Sequence, residues 1–160
     1  RIVKKLKKRM AYVLLDAPAG LGPGVSALLP ASDHALVVTT PDDVAMRDAE
    51  RAIALTEAAG LPRPMLVVNR VRPDMVARGE MYSPQAVASA LDVPLLGYVP
   101  EDRAVLAAAA RHESFMDTEG PAKQAMERIA QRFLGEFVPM PTMERKLHWW
   151  QRGRNVGAGV

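Results

Sequence analysis

The run Tyr12-Val13-Leu14-Leu15-Asp16-Ala17-Pro18-Ala19-Gly20 carries the first chemistry legible in this chain. An apolar stretch that ends on an aspartate and a Pro/Gly loop is how α/β nucleotide-handling proteins place a carboxylate for magnesium. A hard cation takes oxygen ligands and keeps part of its hydration shell, so Asp16 could hold it through water. Gly20 lets the backbone come close to a phosphate, where an amide N–H can donate. The plainer alternative is that Asp16 caps the turn after it. A second polar pair, Asn69-Arg70, offers a carboxamide with one acceptor and two donors, which matches an adenine edge, and a planar guanidinium that can lie against a base. A turn with a solvent-exposed charge would read the same way. Thr39-Thr40 and Pro100-Glu101-Asp102 complete the polar residues that follow apolar runs.

Other chemistries drop out. Gly20-Leu21-Gly22-Pro23-Gly24 is no phosphate loop, since no lysine follows it and Pro23 lacks the N–H that would cradle an anion. His34, His112 and His148 have no metal-ligand spacing, and no serine stands in a Gly-x-Ser-x-Gly setting.

Positioning these residues requires strands that end on them. Tyr12–Asp16, Ala35–Thr40, Met65–Asn69 and Leu95–Val99 are short runs, apolar throughout, which fits parallel strands covered on both faces. Between them the sequence predicts helices over 25–29, 42–59 and 83–91, with Asp42 and Ser83 as N-caps and Pro84 in a first turn. Residues 103–111 and 121–134 read as two more. The alternation predicts an α/β, doubly wound, mostly parallel sheet with helices on both faces. In such sheets ligands bind beyond the carboxyl ends of the strands, where Asp16, Asn69 and Glu101 all fall.

The chain has 160 residues, 49% of them hydrophobic, and no cysteine, so it suits one domain without a disulfide framework or thiolate metal site. No apolar run reaches the roughly 20 residues that span a bilayer. The net charge of +3 gathers at the two ends: Arg1, Lys4, Lys5, Lys7, Lys8 and Arg9 lie on an amphipathic helical pattern, and Arg145, Lys146, Arg152 and Arg154 follow a proline break. Basic patches of this kind suit nucleic acid, anionic lipid or plain solvent. The second end is more specific. On a helical wheel Met143, Leu147 and Trp150 share a face flanked by Lys146 and Trp149, with Arg145, His148 and Arg152 opposite. Tryptophan favours the bilayer interface and lysine or arginine favours anionic headgroups, so 143–152 reads as a membrane-targeting helix, with a frayed tail or a helix docked on a partner as the alternatives and nucleic acid disfavoured. The expected organisation is a domain at 1–134, a linker at 135–142, that helix, and a disordered tail at 153–160.

Four stretches together resemble the deviant-Walker ParA/MinD family of P-loop ATPases, and within it the septum-site-determining MinD branch: Asp16-Ala17-Pro18-Ala19-Gly20; Val44-Ala45-Met46-Arg47-Asp48-Ala49-Glu50-Arg51; Arg78-Gly79-Glu80-Met81-Tyr82-Ser83; and Gly97-Tyr98-Val99-Pro100-Glu101-Asp102. The resemblance runs from about Arg1 to Arg152. It implies ATP and Mg2+ as cofactors, with Asp16 the magnesium-associated aspartate and Gly20 part of the switch that senses the γ-phosphate. Asn69 and Arg70 would hold the adenine, and Pro100, Glu101 and Asp102 would close over it. Arg47, Asp48 and Glu50 would contribute to a surface for a MinC-like inhibitor or a MinE-like regulator. It implies an ATP-dependent homodimer in the cytoplasm, peripherally bound to anionic phospholipid at the inner face of the cell membrane, which helps to place the division septum.

One departure matters. The Gly-rich phosphate loop with its lysine and its serine or threonine is absent from the sequence, so the chain reads as a C-terminal portion of a longer ATPase and is expected to be inactive alone. Two alternatives stand beside this: a ParA-type chromosome-partition or flagellar-number ATPase, and a non-catalytic interaction module.

Overall fold

The structure, a computed structural model, describes residues 2–18, 20 and 22–141. The predicted membrane helix, with Met143, Lys146, Leu147, Trp149 and Trp150, and the tail at 153–160 lie outside the described residues.

Three short apolar runs form one parallel sheet in the order β1 (Leu36–Thr39), β2 (Met65–Val71), β3 (Leu95–Pro100). The register sets Val37 beside Leu66 and Thr39 beside Val68, then Val68 beside Tyr98 and Val71 beside Pro100. The strands therefore end together, which is what gathers the polar residues that follow them.

Helices cover both faces. On one, α3 (Asp43–Ala58) and α5 (Pro84–Ala90) pack Ala49, Ile53, Val87 and Ala88 against Val37, Leu66, Val68 and Val71. On the other, α7 (Pro121–Phe133) sets Ala122, Ala125 and Ile129 on Val67, Leu96 and Val99. Those three recur at i, i+3 and i+7, one stripe of a helix. Gly97 permits the approach: a Cβ there would stand 2.5 Å from Ile129 Cγ1. Local chemistry starts the helices as the sequence predicts. The Asp42 carboxylate accepts from the Ala45 N–H at 3.0 Å and opens α3, and Ser83 Oγ accepts from the Ala86 N–H at 3.1 Å and opens α5. The remaining helices are α1 (Ile2–Leu6), α2 (Pro23–Leu28), α4 (Pro73–Arg78) and α6 (Arg103–Ala110). The sequence gives no sign of α4, because its six residues begin with a proline and are too few to show an apolar period.

Tyr12–Asp16, expected as the first strand, is not one. The segment is irregular chain, with Leu14 85% exposed. A strand exists only where a neighbour supplies backbone donors and acceptors, and none of the described residues pairs with this run. The sheet therefore has three strands where the sequence predicts four. Among the described residues β1 has β2 on one side only and its second face is open: Leu36 and Val38 are 45% and 57% exposed while Val37 and Thr39 are buried.

Candidate functional site at the strand ends

The carboxyl ends of β1, β2 and β3 enclose a cleft of about 350 Å³. Its walls come from Thr40, Pro41 and Asp42 after β1, from Arg70 and Arg72 at and just beyond the end of β2, and from Glu101 after β3, with Met75 of α4 and Met81 closing one side.

Each wall has a local cause. Thr40 Oγ1 donates to Asp42 Oδ2 at 2.5 Å while Oδ1 caps α3. The Ala45 amide, then the Thr40 hydroxyl, hold the Asp42 carboxyl below its ordinary pKa. At the end of β2, Asn69 Oδ1 accepts from the Arg70 N–H at 2.8 Å, and Arg70 takes a left-handed backbone with φ 56°. The Arg70 guanidinium extends towards the residue that follows β3. There Arg70 Nη2 donates to Glu101 Oε1 at 3.1 Å, and Arg72 Nε lies 3.7 Å from Oε2. Arg72 also reaches Asp74 at 3.4 Å, and its backbone N–H donates to Met81 Sδ at 3.3 Å. Exposed ion pairs of this kind contribute little stability, so their effect is to hold the side chains in place across the cleft.

The structure thus brings Asn69, Arg70, Pro100, Glu101 and Asp102 to adjoining strand ends. Asn69 keeps its two amide donors, since the bond to Arg70 uses only its oxygen. The Asp102 side chain is engaged by two helices. Its Oδ1 accepts from the Ala104 N–H at 2.9 Å and its Oδ2 from the Ala122 N–H at 3.2 Å, so one carboxylate caps both α6 and α7. Asp16 and Gly20 stand apart from this arrangement, on the irregular chain before α2. Asp16 is exposed and makes no hydrogen bond or ion pair to another described residue, and Gly20 has φ 87°.

Arg47, Asp48 and Glu50 are all exposed on α3, while Ala49 between them is buried. Arg51 Nη1 contacts Asp48 Oδ1 at 3.5 Å, and Val44 on the same side is largely exposed. The segment Arg78–Ser83 joins this helix to the cleft. Gly79 ends α4 with φ 75°, Arg78 binds Asp74 and Glu80, and the Tyr82 hydroxyl donates to Asp43 Oδ1 at 3.1 Å. That bond to Asp43 raises the Tyr82 pKa.

The sequence reading missed Arg72, Met75 and Met81. Arg72 had a signal, since it is a second arginine two residues after Arg70 and just before a proline. Met75 had none, and Met81 stands in the Arg78–Ser83 stretch that carries the resemblance without a role of its own there; only the turn after α4 brings both to the cleft.

A ParA family model, described as the NUBPL iron-transfer P-loop NTPase, matches residues 3–134. The chain belongs to the ParA/MinD family of P-loop NTPases. It has no cysteine, the residue that holds iron–sulfur clusters. Among its relatives, the septum site-determining protein MinD of Bacillus subtilis is 37% identical over 147 residues, which is 91% of this chain and 55% of that protein. MinD of Aquifex aeolicus, solved alone and in a MinC:MinD complex, is 32% identical, with TM-scores of 0.82 and 0.81. Those alignments cover 88% of this chain and 61% and 59% of the solved ones. MinD of Pyrococcus horikoshii, solved with Mg-ADP, is 27% identical with a TM-score of 0.71 over 82% of this chain and 54% of that one. The chain thus spans about half the length of the curated relatives it matches. The parallel sheet with helices on both faces is the MinD-like fold. Among the described residues no helix is long and apolar enough to cross a membrane.

Proposed function

We propose that this chain is the base-recognising and partner-facing part of a MinD-like ATPase that dimerises with ATP, associates with the membrane and helps to position the division septum. The observation that carries the reading is the meeting of Arg70 and Glu101 across one cleft at the carboxyl ends of a parallel sheet, next in sequence to Asn69 and Pro100, in a chain matched to MinD structures at a TM-score of 0.82. A MinD solved with Mg-ADP supports nucleotide and magnesium as its ligands.

The residues fit the two ends of that ligand unequally. At the base end, the Asn69 amide donors suit a ring nitrogen of adenine, and Arg70, bonded to Glu101 through Nη2, offers its plane for stacking. At the phosphate end they do not fit. Asp16 is a single carboxylate on irregular chain, with no second oxygen donor fixed beside it among the described residues, and the sequence has no Gly-rich loop ending in lysine. We therefore derive no hydrolytic step for this chain. What it supplies is base selection and, through the exposed Arg47, Asp48 and Glu50 of α3, a charged surface for a partner. The MinC:MinD complex supports a MinC-like protein in that role. A regulator of the MinE kind, the homodimer, and a cytoplasmic location at the inner membrane face complete the proposal. The last rests on the Met143–Arg152 sequence.

A titration with adenosine, followed by amide NMR, tests the base end. The expected shifts gather at Asn69, Arg70 and Glu101 and vanish in Asn69→Ala. Equal shifts from ribose 5-phosphate, or none from adenosine at millimolar concentration, would overturn the assignment.

A further inference from the structure

The segment after α7, which the sequence reading treats as a linker, is fastened. All three guanidinium nitrogens of Arg132 donate to backbone carbonyls: Nε to Val138 at 2.7 Å, Nη2 to Pro139 at 2.7 Å and Nη1 to Leu96 of β3 at 3.1 Å. Gly135 allows the reversal with φ 89°, and the Tyr98 hydroxyl reaches the Pro141 carbonyl at 3.5 Å. A planar fork that satisfies three acceptors on two stretches of chain is a geometry lysine cannot reproduce.

The clasp has an apolar consequence. Phe137 lies between the turn and the fastened carbonyls and is 96% exposed, with Leu134 beside the same turn also largely exposed. A free segment could fold such a ring inwards and gain its burial; a fastened one holds it in water. Six residues further on begins the sequence that carries Arg145, Lys146 and Arg152 with Trp149 and Trp150, whose charge suits anionic headgroups and whose indoles suit the bilayer interface. We propose that Phe137 is a lipid-contacting side chain and that Arg132 is the positioning residue that presents it, so that the domain meets an anionic bilayer at a fixed point. This rests on the membrane reading of residues 143–152 and adds to it a second, rigid contact. Two linked contacts on one surface bind more tightly than either alone, and a fastened strap loses less of that gain than a slack one.

The chain has no cysteine, so Phe137→Cys carries a single nitrobenzoxadiazole label, while Trp149 and Trp150 report on the following segment. With phosphatidylglycerol vesicles that contain spin-labelled lipid, both reporters are expected to be quenched. Arg132→Gln in the labelled chain should halve the label's quenching or more and leave the tryptophan signal, with Arg132→Lys failing to restore it. Unlabelled Phe137→Ser should bind vesicles roughly tenfold more weakly, and Phe137→Leu close to the parent. Quenched tryptophans with a silent label would overturn the proposal and leave the membrane reading intact; silence from both would remove the two together. A label that responds to rising protein concentration without vesicles would assign the patch to a second copy instead and refute the lipid contact.

Discussion

Asp102→Ala separates an architectural carboxylate from a ligand-closing one. The wild-type side chain accepts from Ala104 N–H at 2.9 Å and from Ala122 N–H at 3.2 Å. Proline at position 121 has no N–H, so the Ala122 amide is the first that α7 offers, and Asp102 is its cap from twenty residues away. Each cap contributes about 1 kcal/mol, and water reaches this half-buried position only in part, so losing both should cost about 2 kcal/mol. For a domain of this size that is a fall of roughly 4–8 °C in Tm, read by circular dichroism at 222 nm. Asp102→Asn keeps one good acceptor and should lose about half as much. A second perturbation reaches the same bond from the other side. A Cβ on Gly120 would stand 2.5 Å from Asp102 Oδ2, so Gly120→Ala should destabilise the parent and cost much less in the Asp102→Ala background. The reasoning is refuted if Asp102→Ala melts within about 0.5 kcal/mol of the parent, the range of an ordinary surface change, or if the two substitutions are additive.

Two further predictions follow from the same kind of geometry. Gly97→Ala should cost roughly 1–3 kcal/mol in urea denaturation, because its Cβ meets Ile129 Cγ1 at 2.5 Å, and Ile129→Ala should recover part of that loss. Asp42 has a folded pKa lowered below 3.8 by the Ala45 amide and then by Thr40, so its cap is intact above pH 4 and is lost as pH falls through the folded value; Asp42→Ala should destabilise by about 1 kcal/mol at pH 7 and by progressively less in acid melts.

The elements that the sequence made legible are those whose causes are local. Asp42 and Ser83 cap the helices they precede, and the apolar runs at 36–39, 65–71 and 95–100 become strands. The polar ends of the second and third runs meet, as the rule for parallel sheets requires. What stayed hidden depends on partners distant in sequence. Asp102 reads as a ligand residue at a strand end, and only the return of α7 across β3 reveals its second acceptor bond. Arg132 reads as a basic residue near a helix end, and nothing in the spacing shows that three carbonyls will converge on it.

Tyr12–Asp16 shows the same dependence at the level of chemistry. Its apolar run is as strand-like as those of β2 and β3, yet it has no pairing neighbour, and the irregular chain leaves Asp16 exposed. A carboxylate can act on a magnesium–phosphate centre only when its direction is set beforehand, and in a parallel sheet that direction is set by the strand that delivers it. Among the described residues β1 meanwhile has one unpaired edge and one uncovered face at Leu36 and Val38, although parallel strands are ordinarily buried on both sides. Both features express one requirement. Asn69, Arg70 and Glu101 are placed because β2 and β3 are paired, covered and ended in register, whereas Asp16 lies on chain that no described strand pairs with; the proposed base contacts and the phosphate chemistry therefore depend on different parts of the sheet, and a variant that disturbs one should leave the other.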